Sequence, residues 1–121
     1  MGKFVIKQGK TGPYFVLKAA NGEPIGKSEI YSSEAAAKNG VESVKKNAAV
    51  AQIEDQTVEG WKNMTNPVFE LYKDKAGEFR FRLRAKNGEP ILSSEGYSAK
   101  ASAIGGIESV KKNADSELVI E

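Results

Sequence analysis

Arg80, Arg82 and Arg84, followed by Lys86, are the densest run of chemistry-bearing side chains in this sequence. At alternate positions of a β-strand, three guanidinium groups project from one face. Lys7, Tyr14, Lys18 and Tyr72 are expected on the same face, because they sit at matching points of strand-like segments elsewhere in the chain. Cations interleaved with tyrosines on an open sheet can hold phosphates and stack bases, as in folds that bind RNA or single-stranded nucleic acid. The competing reading is that any water-facing antiparallel sheet is polar, with Arg80 opposite Glu95 as an ordinary cross-strand pair. Net charge favours the second reading. Lysine and arginine number 18 against 16 acids, a balance of +2 that creates no strong field for a polyanion.

The other candidates weaken on inspection. Ser28-Glu29-x-Tyr31-Ser32 recurs as Ser94-Glu95-x-Tyr97-Ser98, and a serine at a helix N-terminus could cradle a phosphate. Ser32 and Ser98 are also explained without a ligand, as helix N-caps. The chain has neither histidine nor cysteine. That removes disulfides, thiol nucleophiles, imidazole-based triads and the usual zinc sites. Acids between Asp74 and Glu78 lack the ligand spacing of a calcium loop. Trp61 could anchor a partner, but is expected to fold back over the sheet or a helix edge and pin a long connection. No catalytic residue, cofactor-binding residue, cofactor or metal ligand is assigned.

The elements that position these residues are written twice. Residues 21–48 and 87–114 coincide at 19 of 28 positions with an offset of 66, a tandem repeat. Each copy reads β-β-β-α-β. In the first, strands are expected at residues 4–7, 14–19 and 25–31, a helix following Ser32-Ser33-Glu34, and a last strand at 50–54. Ala37, Val41, Val44 and Ala48 form one apolar helical stripe, repeated by Ala103, Ile107, Val110 and Ala114. Gly40 and Gly106 lie beside that stripe, where they would permit close approach of the helix to its neighbours, whereas Gly105 projects to the exposed side. Asn21-Gly22 and Asn87-Gly88 predict two-residue type I′ hairpin turns. That register sets Arg84 opposite Ile91, Arg82 opposite Ser93, and Arg80 opposite Glu95, with Phe81 and Leu83 facing the helices. A slip by one residue would bury three arginines, so the pattern specifies its own pairing.

The string Gly88-Glu89-Pro90-Ile91-Leu92-Ser93-Ser94-Glu95-Gly96-Tyr97-Ser98, with Gly106-Ile107-Glu108-Ser109-Val110-Lys111-Lys112-Asn113-Ala114 after it, resembles the signature of the YegP-like bacterial family. The resemblance spans both copies, and the first departs from it at Gly26 and Ile30. It implies an α+β fold. Two β-β-β-α-β repeats would share one mainly antiparallel sheet, with both helices on one face and the C-terminal strands exchanged between repeats. It implies no activity, since the family is functionally uncharacterised.

The expected organisation is a first repeat at 1–54, a linker at 55–68 and a second repeat at 69–121, closing into one pseudo-dimeric domain. A unit of about 55 residues is marginal alone, and fusion makes the pairing intramolecular. A monomer with internal pseudo-twofold symmetry is expected. Hydrophobic residues at 40% and charged residues at 28% exclude bulk disorder. No signal peptide or membrane span is read, so the expected location is cytoplasmic. The expected function is a non-enzymatic structural or interaction module whose partner, a nucleic acid or a protein, is unread. The alternative is weak RNA or single-stranded nucleic-acid binding through Lys7, Tyr14, Lys18, Tyr72, Arg80, Arg82 and Arg84. A pocket between helices and sheet, holding a small ligand, is a third class.

Overall fold

Alternation of large apolar with polar residues makes the strands, and the computed structural model describes residues 2–121. Met1, the first residue of the predicted first repeat, lies outside the described residues. In the first unit β1 (Lys3–Gln8), β2 (Pro13–Lys18) and β3 (Pro24–Lys27) precede α1 (Glu34–Ala48) and β4 (Gln52–Asp55). The second unit repeats this as β5 (Val68–Lys73), β6 (Phe79–Arg84), β7 (Pro90–Ser93), α2 (Lys100–Asn113) and β8 (Glu117–Ile120). The connecting segment therefore covers residues 56–67, one residue inside each predicted bound.

All eight strands form one sheet in the order β4-β5-β6-β7-β3-β2-β1-β8. The final strand of each unit joins the other unit: β4 lies parallel to β5, and β8 parallel to β1. The remaining neighbours are antiparallel, so the sheet is mixed and mainly antiparallel, with the expected strand exchange. The pseudo-dyad passes between Lys27 and Ser93, equivalent residues that face each other across the β3–β7 seam.

Both helices cover one face and straddle the dyad. α1 lies over β1, β2, β6 and β7, and α2 over β2, β3, β5 and β6. Their two predicted stripes are buried against Phe4, Phe15, Leu17, Phe69, Leu71, Phe81 and Leu83 in a single core. Burial of each such large side chain stabilises by about 1.5–3 kcal/mol, and neither unit could bury its share alone.

Gly40 and Gly106 perform a specific task within this core. A Cβ at Gly106 would lie 2.7 Å from Tyr97 Oη and 2.8 Å from Phe81 Cε2, and one at Gly40 would strike Tyr31 and Phe15. The glycines thus let stacked ring pairs, Phe15 with Tyr31 and Phe81 with Tyr97, slide beneath each helix. Gly26 makes room across the dyad, since its Cβ would lie 2.6 Å from Leu92 Cγ. Two leucines could not share that spot on a pseudo-twofold axis, which accounts for this departure of the first repeat from the second.

Several local expectations are corrected. Gly22 and Gly88 have φ of 85° and 86°, while Asn21 and Asn87 do not enter the positive-φ region. The turns are therefore not type I′. Gly88 N donates to Ala85 O and Ala85 N to Glu89 O, both at 2.9 Å, which closes a three-residue loop of the kind that ends on a left-handed glycine. Asn87 Oδ1 accepts from Glu89 N at 3.0 Å, so its side chain, not its φ, shapes the turn. A bulge between Leu83 and Arg84 then sets Arg84 opposite Pro90, not Ile91, while Arg82–Ser93 and Leu83–Leu92 pair as expected. The bulge sends successive residues, Ile91 and Leu92, into the core together.

The third strands are also shorter than predicted, ending at Lys27 and Ser93. The cap of α1 is Ser33, whose Oγ accepts from Ala36 N at 3.1 Å, and not Ser32. In α2 the equivalent cap is Ala99, which has no side-chain acceptor, so Ser98 is not a cap.

Candidate functional site

The sheet face away from the helices carries every residue of the predicted basic patch. Register places Lys7 beside Tyr14 and Lys3 beside Lys18 in the first unit, and Tyr72 beside Arg80 in the second. The two sets do not merge. β3 and β7 separate β2 from β6, so Lys7, Tyr14 and Lys18 stand about 14 Å or more from the arginine strand at ordinary strand spacing.

The arginines are held by carboxylates. Glu70, on β5, accepts from Arg82 Nε and pairs with Arg84 Nε at 2.8 Å. Arg84 also donates to Gly88 O at 2.8 Å, and the Arg82 guanidinium lies 4.6 Å from the Tyr72 ring centroid. Arg80 does not pair with Glu95 as expected. Its Nε donates to Asp74 Oδ2 at 2.6 Å, and a second nitrogen reaches Ser94 O at 3.3 Å. The cause is local: Asp74 accepts from Ala76 N and Glu78 N in the β5–β6 turn, which aims its free oxygen at Arg80.

Titration follows these contacts. Burial alone would raise the Glu70 carboxyl, but the hydrogen bonds and charge of Arg82 and Arg84 outweigh it and hold the group below the usual range. Asp55 is likewise held low: burial opposes, and the Lys100 ammonium at 2.6 Å with two Thr57 donors prevails. The hydrogen bond from Arg80 lowers Asp74 and raises Arg80 itself. Tyr31 and Tyr97 are raised by burial and then by the nearby charges of Glu29 and Glu95.

Sequence reasoning missed Glu54. It is only 2% exposed although it sits on the helix-free face beside Glu70. Gln56 Nε2 donates to Glu54 at 2.8 Å and to Glu70 at 3.2 Å, and Met64 N donates to Glu54 at 2.6 Å. The connecting segment therefore passes over β4 and covers Glu54, while Arg82 at the far end of the row Glu54–Glu70–Arg82 keeps 34% of its side chain exposed. Trp61 does not do the covering; it remains 42% exposed.

The repeated serines are also spoken for. Ser28 Oγ accepts from Phe15 N and donates to Glu29 O, and Ser94 does the same with Phe81 N and Glu95 O, all within 2.8–2.9 Å. They replace ladder hydrogen bonds where β3 and β7 peel away from the sheet. A groove of about 520 Å³ opens over the β3–β7 seam and is lined by Val16, Pro24, Lys27, Pro90, Leu92 and Ser93 among others. It does not lie between helices and sheet, where the third class of function placed a pocket. Among the described residues no three acidic side chains converge on a metal-sized site, and no helix is long and apolar enough to cross a membrane.

Comparison with known proteins agrees with this architecture. The family described as "Domain of unknown function (DUF1508)" matches twice, at residues 10–55 and 74–121, one match per unit. UPF0339 protein MS1092 of Mannheimia succiniciproducens is 41% identical over 120 residues, 98% of this chain and 93% of that one. The UPF0339 protein in ptx operon 5'region of Stutzerimonas stutzeri is 63% identical over 53 residues, 44% of this chain but only 48% of its own length. The solution structure of yegP from E. coli, a protein of unknown function, superposes with a TM-score of 0.80 at 31% identity, covering 99% of this chain and 92% of that one. With both units matched and the full length aligned, the chain belongs to the DUF1508 family of tandem YegP-like (UPF0339) proteins, whose function is uncharacterised.

Proposed function

We propose that this protein is a non-enzymatic interaction module that works through the helix-free face of its sheet. The observation that carries the reading is the commitment of the polar side chains that could have done chemistry. Arg80 is paired with Asp74, Arg82 and Arg84 share Glu70, and Ser28 and Ser94 complete the backbone ladder. A guanidinium whose charge is offset by a carboxylate attracts a phosphate less strongly, which counts against nucleic-acid binding. A serine that both donates and accepts within the sheet is not an activated nucleophile. A cytoplasmic location belongs to the same reading and fits a chain without cysteine.

Two measurements test it. A turnover screen over hydrolase and phosphoryl-transfer substrates is expected to give no activity above background, and robust turnover would overturn the reading. Titration with labelled single-stranded oligonucleotides at about 50 mM salt is expected to show no saturable binding. Saturable binding that is lost in Arg82→Ala and Arg84→Ala would establish the nucleic-acid alternative instead.

A further inference from the structure

Asparagine followed by glycine is open to attack on its side-chain amide by the next backbone nitrogen, because glycine has no Cβ to obstruct the approach. This chain has three such pairs, Asn21-Gly22, Asn39-Gly40 and Asn87-Gly88, and the fold treats them differently. Asn39-Gly40 lies inside α1, where Gly40 is buried and its nitrogen belongs to the helical ladder. Attack there would require the helix to open.

The two turn pairs start from the same geometry. Asn21 Oδ1 accepts from Glu23 N, and Asn87 Oδ1 from Glu89 N, each at 3.0 Å. The ring closed by that hydrogen bond contains both Cγ and the glycine nitrogen, and the bond draws electrons from Cγ. Each glycine N–H also donates to an alanine carbonyl at 2.9 Å, Ala19 in one turn and Ala85 in the other, which restrains both alike. Their surroundings separate them. Arg84 Nη1 donates to Gly88 O at 2.8 Å, and a Cβ at Gly88 would lie 3.6 Å from Asn66 Nδ2. Lys18 takes the place of Arg84 in the first unit and makes no such bond among the described residues. Gly22 is exposed where Gly88 is half-buried, and nothing lies within 4 Å of a Cβ at Gly22.

We propose that the Asn21-Gly22 turn is a modification site, at which the chain converts its own asparagine to isoaspartate and aspartate ahead of the other two pairs. Hydroxide removes the Gly22 amide proton, and the nitrogen electron pair forms a bond to Asn21 Cγ. The Cγ–Nδ2 bond breaks, and Nδ2 takes a proton from water and leaves as ammonia. Water then opens the five-membered imide. Opening at Cγ leaves aspartate on an unchanged backbone, whereas opening at the main-chain carbonyl leaves isoaspartate, with one more carbon in the backbone. Either product lowers the net charge of +2 by one. It also sets a carboxylate in the turn that follows Lys18, a residue without an ion pair among those described. Water is the only co-reactant, so the conversion is independent of any partner.

The test is ageing of the full chain at neutral and at mildly alkaline pH, followed by ion-exchange elution and by the side-chain NH2 signals of each asparagine in amide spectra. A more acidic species is expected, with the Asn21 signals lost first and faster at the higher pH. Asn87 should follow at least about tenfold more slowly, because its charge-assisted anchor must break before Gly88 N can attack. Asn39 should persist. Arg84→Met should bring Asn87 to within about threefold of Asn21, and an otherwise unchanged spectrum will show that the variant is folded. Should it not fold, the order of loss in the unaltered chain decides alone. Persistence of Asn21, loss of Asn87 or Asn39 as fast as Asn21, or an Asn87 rate untouched by Arg84→Met in the folded variant would overturn the proposal.

Discussion

Gly105 and Gly106 are neighbours on α2 with opposite surroundings, and substituting each by alanine isolates the packing argument from the helical one. Alanine in place of a helical glycine stabilises by about 1 kcal/mol through reduced backbone entropy. Nothing lies within 4 Å of a Cβ at Gly105, so Gly105→Ala should realise most of that, about 0.5–1 kcal/mol. At Gly106 the same gain meets contacts of 2.7 Å to Tyr97 Oη and 2.8 Å to Phe81 Cε2. Neither ring can retreat freely, because Phe81 is fully buried and stacked on Tyr97. Overpacking of this kind costs about 1–3 kcal/mol, leaving Gly106→Ala destabilised by up to about 2 kcal/mol. Urea unfolding at constant m reads both changes, and thermal midpoints should move by roughly 3–6 °C per kcal/mol in opposite directions. If both variants are stabilised alike, the ring pair does not occupy the space beneath the helix.

Other expectations follow from single residues. Ala99→Ser should stabilise α2 by about 1 kcal/mol, because it supplies the side-chain cap that Ser33 gives α1 and that α2 lacks; chemical denaturation checks it. Gly26→Leu should cost about 1–3 kcal/mol by collision with Leu92, and Leu92→Gly introduced with it should recover much of the loss, a coupling read from a double-mutant cycle. Glu70 and Asp55 titrate below their unfolded values, so their contribution is complete above about pH 5.5 and is lost as pH falls through the unfolded and then the lower folded values. Glu70→Gln should therefore flatten the acid limb of a stability–pH curve, and an unaltered limb would show that the Arg82 and Arg84 pairing contributes nothing.

The plan of the fold was legible because it is repeated. Residues 21–48 and 87–114 specify a second copy of each element, and alternating arginines at 80, 82 and 84 exclude any register of β6 that would turn them into the core. What escaped the sequence were short-range competitions. Asn87-Gly88 favours a type I′ turn in isolation, but the Asn87 side chain holds Glu89 N and the strand absorbs the extra residue as a bulge. Ser33 outcompetes Ser32 as the cap by a single position. The site was legible only as a face. Glu70 and Asp74 come to the arginines from another strand and a turn, and the burial of Glu54 beside Glu70 depends on Met64, ten residues away along the connecting segment. Nothing in local pattern announces a contact between a backbone amide and a carboxylate on another strand. A count of unpaired arginines could have prompted the search for their acids.

The central claim is that each unit is completed by the last strand of the other, and cross-strand backbone nuclear Overhauser effects read this without perturbing the protein. The exchanged arrangement predicts contacts between Val5 and Val119 and between Glu70 and Glu54. Contacts between Val5 and Glu54 and between Glu70 and Val119, with the first pair absent, would mean that each unit keeps its own strand and would contradict the account.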